Sequence, residues 1–237
     1  MPDSGSHLFA MIALLILALF VLLAAGVPGL WVRWVMRRYQ QPKDRYRLSG
    51  GDVARDLLQR LELPRVGVEV TEQGDHYDPE AKCVRLTAAN YNGRSLTAVT
   101  VAAHEVGHAI QDAIGYRPLH LRGKLVRWAS AGQRLGVGLL LGLPVLLVVT
   151  RSPALVLPAI ALGLAGLAMG VLVHLLTLPT EFDASFRRAM PLLEAGYLRA
   201  EDRPHARRIL RAAALTYVAA AAMSLMNVWM WLRILRP

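Results

Sequence analysis

The most chemically informative part of the sequence is the stretch HEVGH at residues 104–108. Histidines four residues apart lie on one face of a helix, about one turn from each other. This spacing allows both imidazoles to bind a single zinc ion, and Glu105 beside the first histidine can act on a water molecule at the metal. The stretch therefore predicts a hydrolytic zinc site with His104 and His108 as two of its ligands.

A third protein ligand must come from elsewhere, because a catalytic zinc usually has three and keeps one position for water. Glu181 is the favoured candidate, since it directly follows a predicted membrane span and stands next to a helix start signal. Asp183 is the second candidate. His120 and His205 are less favoured, because neither has a comparably distinctive context.

Glu105 is predicted to be the general base, taking a proton from the water that attacks a peptide carbonyl and delivering it to the departing amine. The plain alternative is a helix whose histidines are only satisfied by hydrogen bonds. Asp112, four residues after His108, could orient an imidazole or be a solvated or helix-capping residue. Three further residues are candidate donors to an oxyanion: His76, Tyr77 and Tyr217.

Short elements of both kinds are predicted around the motif. Residues 95–114 form the helix that carries it, with Ser95 as the cap. Residues 49–63 form an amphipathic helix. Two alternating segments, Val66 to Val70 and Lys82 to Thr87, are expected to pair as a β-hairpin, and the second is expected to pair with an extended substrate. Cys83 is the only cysteine, which excludes an intrachain disulfide.

The composition indicates a membrane protein. Hydrophobic residues make up 54% of the 237 and are clustered in runs. Four of these runs are predicted to span the bilayer, Leu8–Leu30, Leu135–Thr150, Pro153–Leu178 and Ala212–Leu235. The net charge is +10, and because the basic residues crowd the ends of the runs, they indicate membrane topology rather than nucleic-acid binding.

The predicted fold is therefore a mainly α membrane protein with about four transmembrane helices and a small α+β catalytic unit. Charge bias puts both termini outside and the catalytic unit in the cytoplasm. A basic amphipathic helix, Pro118 to Gln133, is expected along the membrane surface. The predicted units are an anchor (1–38), the catalytic unit with the amphipathic helix (39–134), a transmembrane hairpin (135–178), the third-ligand segment (179–211) and a last transmembrane helix (212–237).

Four segments together resemble the YugP-like family of membrane neutral zinc metallopeptidases. They are DHYDP at 75–79, YNGRS at 91–95, the motif region 101–111 and EFDAS at 181–185. The resemblance extends from about Tyr39 to the last span. It implies a multi-pass protein of a bacterial inner membrane with a zincin-type unit, His104 and His108 as zinc ligands, and Glu105 as the catalytic residue.

The segment at 181–185 is also similar to that of the HtpX and Ste24 membrane proteases, which carry Glu-Phe-x-Ala-Asp. Their glutamate is the third zinc ligand, so the similarity implies this role for Glu181. Ser185 stands where those proteases have an aspartate. The aspartate's task of supporting a ligand is therefore expected to fall to Asp183 or Asp112.

The favoured hypothesis is a zinc endopeptidase with one ion, acting on membrane or membrane-proximal polypeptides at the cytoplasmic face. A second hypothesis is a zinc hydrolase of a non-peptide amide or lipid-like substrate. A third is a non-catalytic membrane scaffold with a structural zinc, which a closed site containing both Glu181 and Asp183 would favour. The sequence leaves the oligomeric state and the physiological substrate open.

Overall fold

The computed structural model describes residues 12, 16, 26–27 and 29–234. Most of the predicted first span, Leu8 to Leu30, lies outside the described residues. The described part is mostly helical with one small sheet, as predicted. Residues 29–39 are helical (α1), and the later elements are α2 (Gly50–Arg60), β1 (Gly67–Thr71), β2 (His76–Asp78), β3 (Cys83–Thr87), α3 (Ala88–Tyr91), α4 (Leu96–Ala113), α5 (Arg117–Thr150), α6 (Pro153–Phe182), a π-helix (Asp183–Ala189), α7 (Met190–Glu194), a 3₁₀ turn (Ala200–Asp202) and α8 (Arg203–Ile234).

Both predicted helix caps are present. The Ser49 hydroxyl accepts the Asp52 backbone N–H while the Asp52 carboxylate accepts the Ser49 N–H, so α2 begins with a reciprocal capping box. The Ser95 hydroxyl accepts the backbone N–H of Ala98 and starts α4. The two helices share a buried core with the sheet, and this core holds α4 in place. Its buried members on α4 are Val99, Ala102, Ala103, Val106 and Ala109.

The sheet differs from the predicted hairpin. The strand order is β1-β3-β2, in which β1 runs parallel to β3 and β2 runs antiparallel to it. The predicted pairing of the two outer segments as a hairpin is wrong, because the turn region between them contains a third strand that takes the antiparallel position. β3 therefore lies in the centre, paired with β1 along its whole length and with β2 over residues 83–85. The expectation that a substrate pairs along this strand is wrong over these three residues, because β2 already occupies that edge.

Three helical stretches of the described chain are long and apolar enough to cross a membrane, judged by length and composition: Arg117–Thr150, Ala154–Glu194 and Ala200–Arg233. They cover residues 135–150, 154–178 and 212–233 of the three predicted spans that follow the first. The predicted amphipathic helix, Pro118 to Gln133, is helical and forms one continuous helix with the span that follows it, because α5 continues without a break through residue 150. No proline occurs between Pro118 and Pro144, so the backbone is not interrupted where the composition changes from basic to apolar.

Small residues allow α5 and α6 to pack closely as an antiparallel pair. A Cβ atom added at Gly136 would lie 2.7 Å from the Gly163 carbonyl oxygen, and one added at Gly166 would lie 2.4 Å from the Gly132 oxygen. Such close backbone approach is typical of helices that associate in a membrane. This packing fixes the end of α6, and with it Glu181, relative to the first turns of α5.

Candidate metal centre

Three buried side chains from two distant parts of the chain meet at one point. His104 and His108 lie one turn apart on α4, and Glu181 lies in the last turn of α6. The Glu181 Oε2 atom is 3.2 Å from His104 Nε2 and 3.6 Å from His108 Nε2. One ligand atom from each residue lies within 4.8 Å of the others. Two imidazole nitrogens and a carboxylate oxygen are donors that zinc accepts, so the group can hold a metal ion.

A π-helix begins two residues after Glu181 and supports this arrangement. It covers Asp183–Ala189, a span of 7 residues, whereas π-helices elsewhere are mostly single turns found at functional sites. Its backbone lies directly against α4: a Cβ atom added at Gly107 would be only 2.6 Å from the Ala184 carbonyl oxygen. The segment that supplies the carboxylate is thus packed against the helix that supplies both histidines.

Gln111 orients His108. Its side-chain nitrogen donates to the Thr180 carbonyl oxygen at 2.8 Å and to Asp183 Oδ2 at 2.9 Å, which fixes the direction of the amide. Its oxygen therefore faces His108 Nδ1 at 3.0 Å and must accept a hydrogen bond from that nitrogen. The proton of His108 is then on Nδ1. The lone pair on its Nε2 atom is free to face the carboxylate of Glu181, another member of the ligand group.

Ser185 takes the equivalent place beside His104, with its hydroxyl 3.1 Å from His104 Nδ1. The serine hydroxyl itself therefore reaches this imidazole, without an aspartate at this position. Asp183 acts one step further away, through Gln111, and also accepts a hydrogen bond from Arg188 Nε at 3.2 Å. Its carboxylate is not part of the three-residue ligand group.

Asp112 has a different set of contacts from those predicted. Its carboxylate accepts hydrogen bonds from the Tyr77 hydroxyl at 2.6 Å and from Lys82 Nζ at 2.5 Å. It thereby ties β2 and the following turn to α4, and among the described hydrogen bonds it contacts neither metal-facing imidazole. The reason is geometric: residues 111 and 112 lie about 100° apart around the helix. Gln111 faces α6, whereas Asp112 faces the sheet.

The two remaining histidine candidates lie elsewhere. His120 Nε2 is 3.9 Å from Asp112 Oδ1, and His205 Nδ1 is 3.0 Å from the Tyr39 hydroxyl. Neither is part of the ligand group. The favoured choice of Glu181 thus agrees with the geometry.

Arg122 is an important residue that the sequence analysis missed. Its Nη1 atom is 2.5 Å from Glu181 Oε1, the oxygen that faces away from the imidazoles. Its Nη2 atom is 3.5 Å from the Tyr217 hydroxyl, and the guanidinium lies over the Tyr217 ring. In the sequence Arg122 is one of several basic residues on a predicted surface helix, so nothing in its local context distinguishes it.

A cavity of about 300 Å³ opens in front of the ligand group. Glu105 shares this cavity with the three ligands. One wall consists of the β2 region and the other of α5 and α8. The remaining lining residues are Asp75, His76, Tyr77, Pro79, Leu119, Arg122, Gly123, Val126 and Tyr217. The two histidines, the two glutamates and residues of β2 therefore border one space.

Comparison with known proteins agrees with this centre. A family model described as "Putative neutral zinc metallopeptidase" matches residues 12–236. The chain belongs to this family. It is also 36% identical over 221 residues to "Putative membrane protease YugP" of Bacillus subtilis (strain 168). The aligned region covers 89% of this chain and 93% of that relative. No solved structure matches the chain.

In this member of the metallopeptidase family the acid–base properties of Glu105 are shifted by its surroundings. Burial raises the pKa of its carboxyl to about 7, because desolvation penalises the charged form. The nearby His104 and a hydrogen bond from the Tyr77 backbone oppose this increase. A carboxyl with a pKa near neutrality can both accept and return a proton, as general acid–base catalysis requires.

Gly107 offers a test of the close contact between α4 and the π-helix. We expect Gly107→Ala to destabilise the protein by about 1–3 kcal/mol, the usual cost of overpacking, and to weaken zinc binding by separating Glu181 from the histidines. The melting temperature in detergent and the zinc affinity are the measurements. Gly138→Ala is the matched control, because a Cβ atom there meets nothing within 4 Å. Equal behaviour of the two variants would contradict the assigned contact.

Proposed function

We propose that this protein is a membrane zinc endopeptidase that hydrolyses internal peptide bonds of unfolded or membrane-proximal polypeptides. The observation that carries the proposal is the meeting of His104, His108 and Glu181 with Glu105 in one cavity beside the edge of a β-strand. The family supports a zinc peptidase, and the geometry supports the roles of the individual residues.

In this proposal His104, His108 and Glu181 hold the metal ion. Three clustered ligands favour a catalytic centre over a closed structural one, since Asp183 bonds to Gln111 and Arg188 instead. When bound, zinc supplies Lewis-acid activation of water and of the substrate carbonyl. The protein's own contribution is to keep His108 in the correct tautomer through Gln111, to hold His104 through Ser185, and to keep the carboxylate in a fixed direction.

Glu105 acts as the general base. It accepts a proton from the water that attacks the peptide carbonyl and passes that proton to the departing amine nitrogen, so the peptide C–N bond breaks and an amine and a carboxylic acid form. Glu105 is buried, shares the cavity with the ligands and does not belong to the ligand group. These three features suit a base next to a metal rather than a metal ligand.

Tyr217 is the best placed of the three candidate donors to the developing oxyanion. The Tyr77 hydroxyl already donates to Asp112, and His76 Nδ1 already donates to the Gly74 carbonyl oxygen at 2.8 Å. The Tyr217 oxygen accepts from Arg122 Nη2, which leaves its own O–H free to donate into the cavity.

The substrate would add to the sheet along β2 rather than β3. β2 pairs with β3 on one side, and its residues His76 and Tyr77 line the cavity on the other. An extended peptide can pair with such a strand edge through backbone hydrogen bonds, which are independent of side-chain identity. The opposite wall comes from α5 and α8, both candidate spans, so substrates near the membrane have the easiest access.

The proposal includes the cytoplasmic face of a bacterial inner membrane as the location of the centre. The support is the charge distribution, because Arg33, Arg37, Arg38, Lys43 and Arg45 follow the first apolar run, whereas neither Lys nor Arg precedes it.

The test uses the full-length protein purified in detergent. We expect one zinc per chain, cleavage of an unfolded protein at internal bonds as shown by mass spectrometry of the fragments, loss of cleavage after treatment with a chelator, and recovery after zinc is added. Cleavage that persists without metal would contradict the zinc mechanism. A zinc-loaded protein that cleaves no polypeptide would contradict the peptidase assignment.

A further inference from the structure

We infer that Arg122 is a positioning residue of the zinc centre: it binds the outer oxygen of Glu181 so that the other oxygen stays directed at the two histidines. The inference rests on the proposed zinc site and extends it to α5, an element that contributes none of the three ligands. Nothing in the local sequence assigns this role to Arg122.

The two carboxylate oxygens of Glu181 have different partners. Oε2 faces both imidazoles at 3.2 and 3.6 Å, whereas Oε1 lies 2.5 Å from Arg122 Nη1. Only 4% of the Glu181 side chain is exposed, so the outer oxygen needs a protein partner. Without one the carboxylate could rotate, and its metal-facing oxygen would no longer be held in place.

Arg122 is itself held in place. Its side chain is 26% exposed, its Nη2 atom reaches the Tyr217 hydroxyl at 3.5 Å, and its guanidinium lies over the Tyr217 ring. A planar guanidinium with fixed donors can bind Glu181 and Tyr217 at once, which the point charge of a lysine cannot reproduce. Arg122 therefore links α5, α6 and α8 at the metal site.

The same contact holds the first turns of α5 against the cavity. Leu119, Gly123 and Val126, which lie on the same side of α5 as Arg122, form part of the cavity wall. The pairing of Arg122 with Glu181 therefore joins this wall to the ligand group. The residue thus connects the direction of a metal ligand with the position of a helix that passes into the membrane.

The experiment compares Arg122→Gln and Arg122→Lys with Lys124→Gln, in full-length protein in detergent. Lys124 is exposed on the same helix, so its variant removes an equal charge without touching Glu181. Zinc affinity is measured by competition with a chromogenic chelator. The visible spectrum of the cobalt(II)-substituted protein reports the coordination of the metal independently of catalysis.

We expect Arg122→Gln to weaken zinc binding by about 10- to 100-fold, the usual effect of losing a residue that orients a ligand, and to change the cobalt spectrum. Arg122→Lys should recover part of the affinity, and Lys124→Gln should match the unmodified protein. If Arg122→Gln does not fold, the comparison of zinc affinity between Arg122→Lys and Lys124→Gln is sufficient. A measurable loss of affinity is still expected for Arg122→Lys.

Unchanged affinity and spectrum in both Arg122 variants would overturn the inference, as would an equal loss in Lys124→Gln. Failure of the unmodified protein to bind zinc is a separate result, which would overturn the proposed centre itself. A third result is a protein that binds zinc normally, loses affinity when Arg122 is replaced, and cleaves no peptide. This result would support the inference and contradict the peptidase proposal.

Discussion

Glu105→Gln should reduce peptide hydrolysis by about 10²- to 10⁴-fold while leaving zinc content unchanged. The substitution keeps the size of the side chain but removes its ability to accept a proton, and general acid–base catalysis typically contributes a factor of this size. Zinc should remain bound because Glu105 does not belong to the ligand group. The measurements are initial rates on an unfolded protein and the metal content per chain.

Glu69→Gln is a matched control for this variant. Glu69 carries the same carboxylate on β1, its side chain is 63% exposed, and it is absent from the cavity lining. We expect its variant to cleave at the unmodified rate, so that any loss in Glu105→Gln reflects position and not a change of net charge. Equal cleavage rates in the two variants would contradict the role of Glu105 as general base.

Glu181→Ala should have the largest effect on metal binding. It removes one of the three ligand atoms, so we expect a loss in zinc affinity of more than about 100-fold, beyond the range found for residues that only orient a ligand. Asp183→Ala should lose about 10- to 100-fold or less, because Asp183 acts on His108 only through Gln111. Competition with a chromogenic chelator measures both.

Glu194→Ala serves as the control for these two variants. It removes a carboxylate from the same segment of chain, where Glu194 pairs with Arg207 at 3.1 Å and is not part of the ligand group. It should bind zinc as tightly as the unmodified protein. If Asp183→Ala lost more affinity than Glu181→Ala, the roles of the two acids would have to be exchanged.

One short segment supports every ligand of the centre. Glu181 is itself a member of the group that can hold a metal ion, Ser185 reaches His104, and Asp183 holds Gln111 against His108. Asp183 and Ser185 both lie within the π-helix and point to different sides of it. Ser185 contacts His104, whereas Asp183 acts on His108 through Gln111.

The features that could be predicted are those with a short-range physical cause. The spacing of His104 and His108 depends only on helix periodicity, and the caps at Ser49 and Ser95 depend on hydrogen bonds to residues three positions away. The apolar runs that follow the motif region indicate their spans by length alone. Each of these signals is complete within about one or two dozen residues.

The incorrect predictions concern contacts between elements that are distant in the sequence and come together only in the tertiary structure. The alternation of apolar residues identified strand segments correctly, yet it cannot show that β2 lies between them in the chain and takes one edge of β3. Likewise, Gln111 and Asp112 both follow His108 closely. Only the position of α6 on one side of α4 and of the sheet on the other decides which of them supports the imidazole.

By itself the sequence determined two histidines on one helical face, a glutamate beside them, and a second glutamate at the end of an apolar run. These are matters of local geometry and composition. The tertiary structure alone decided how they are oriented, through Ser185, through Gln111, and through the pairing of Arg122 with Glu181 across 59 residues of chain. Such contacts depend on how α4, α5 and α6 pack, and packing is set by the whole molecule rather than by any one segment.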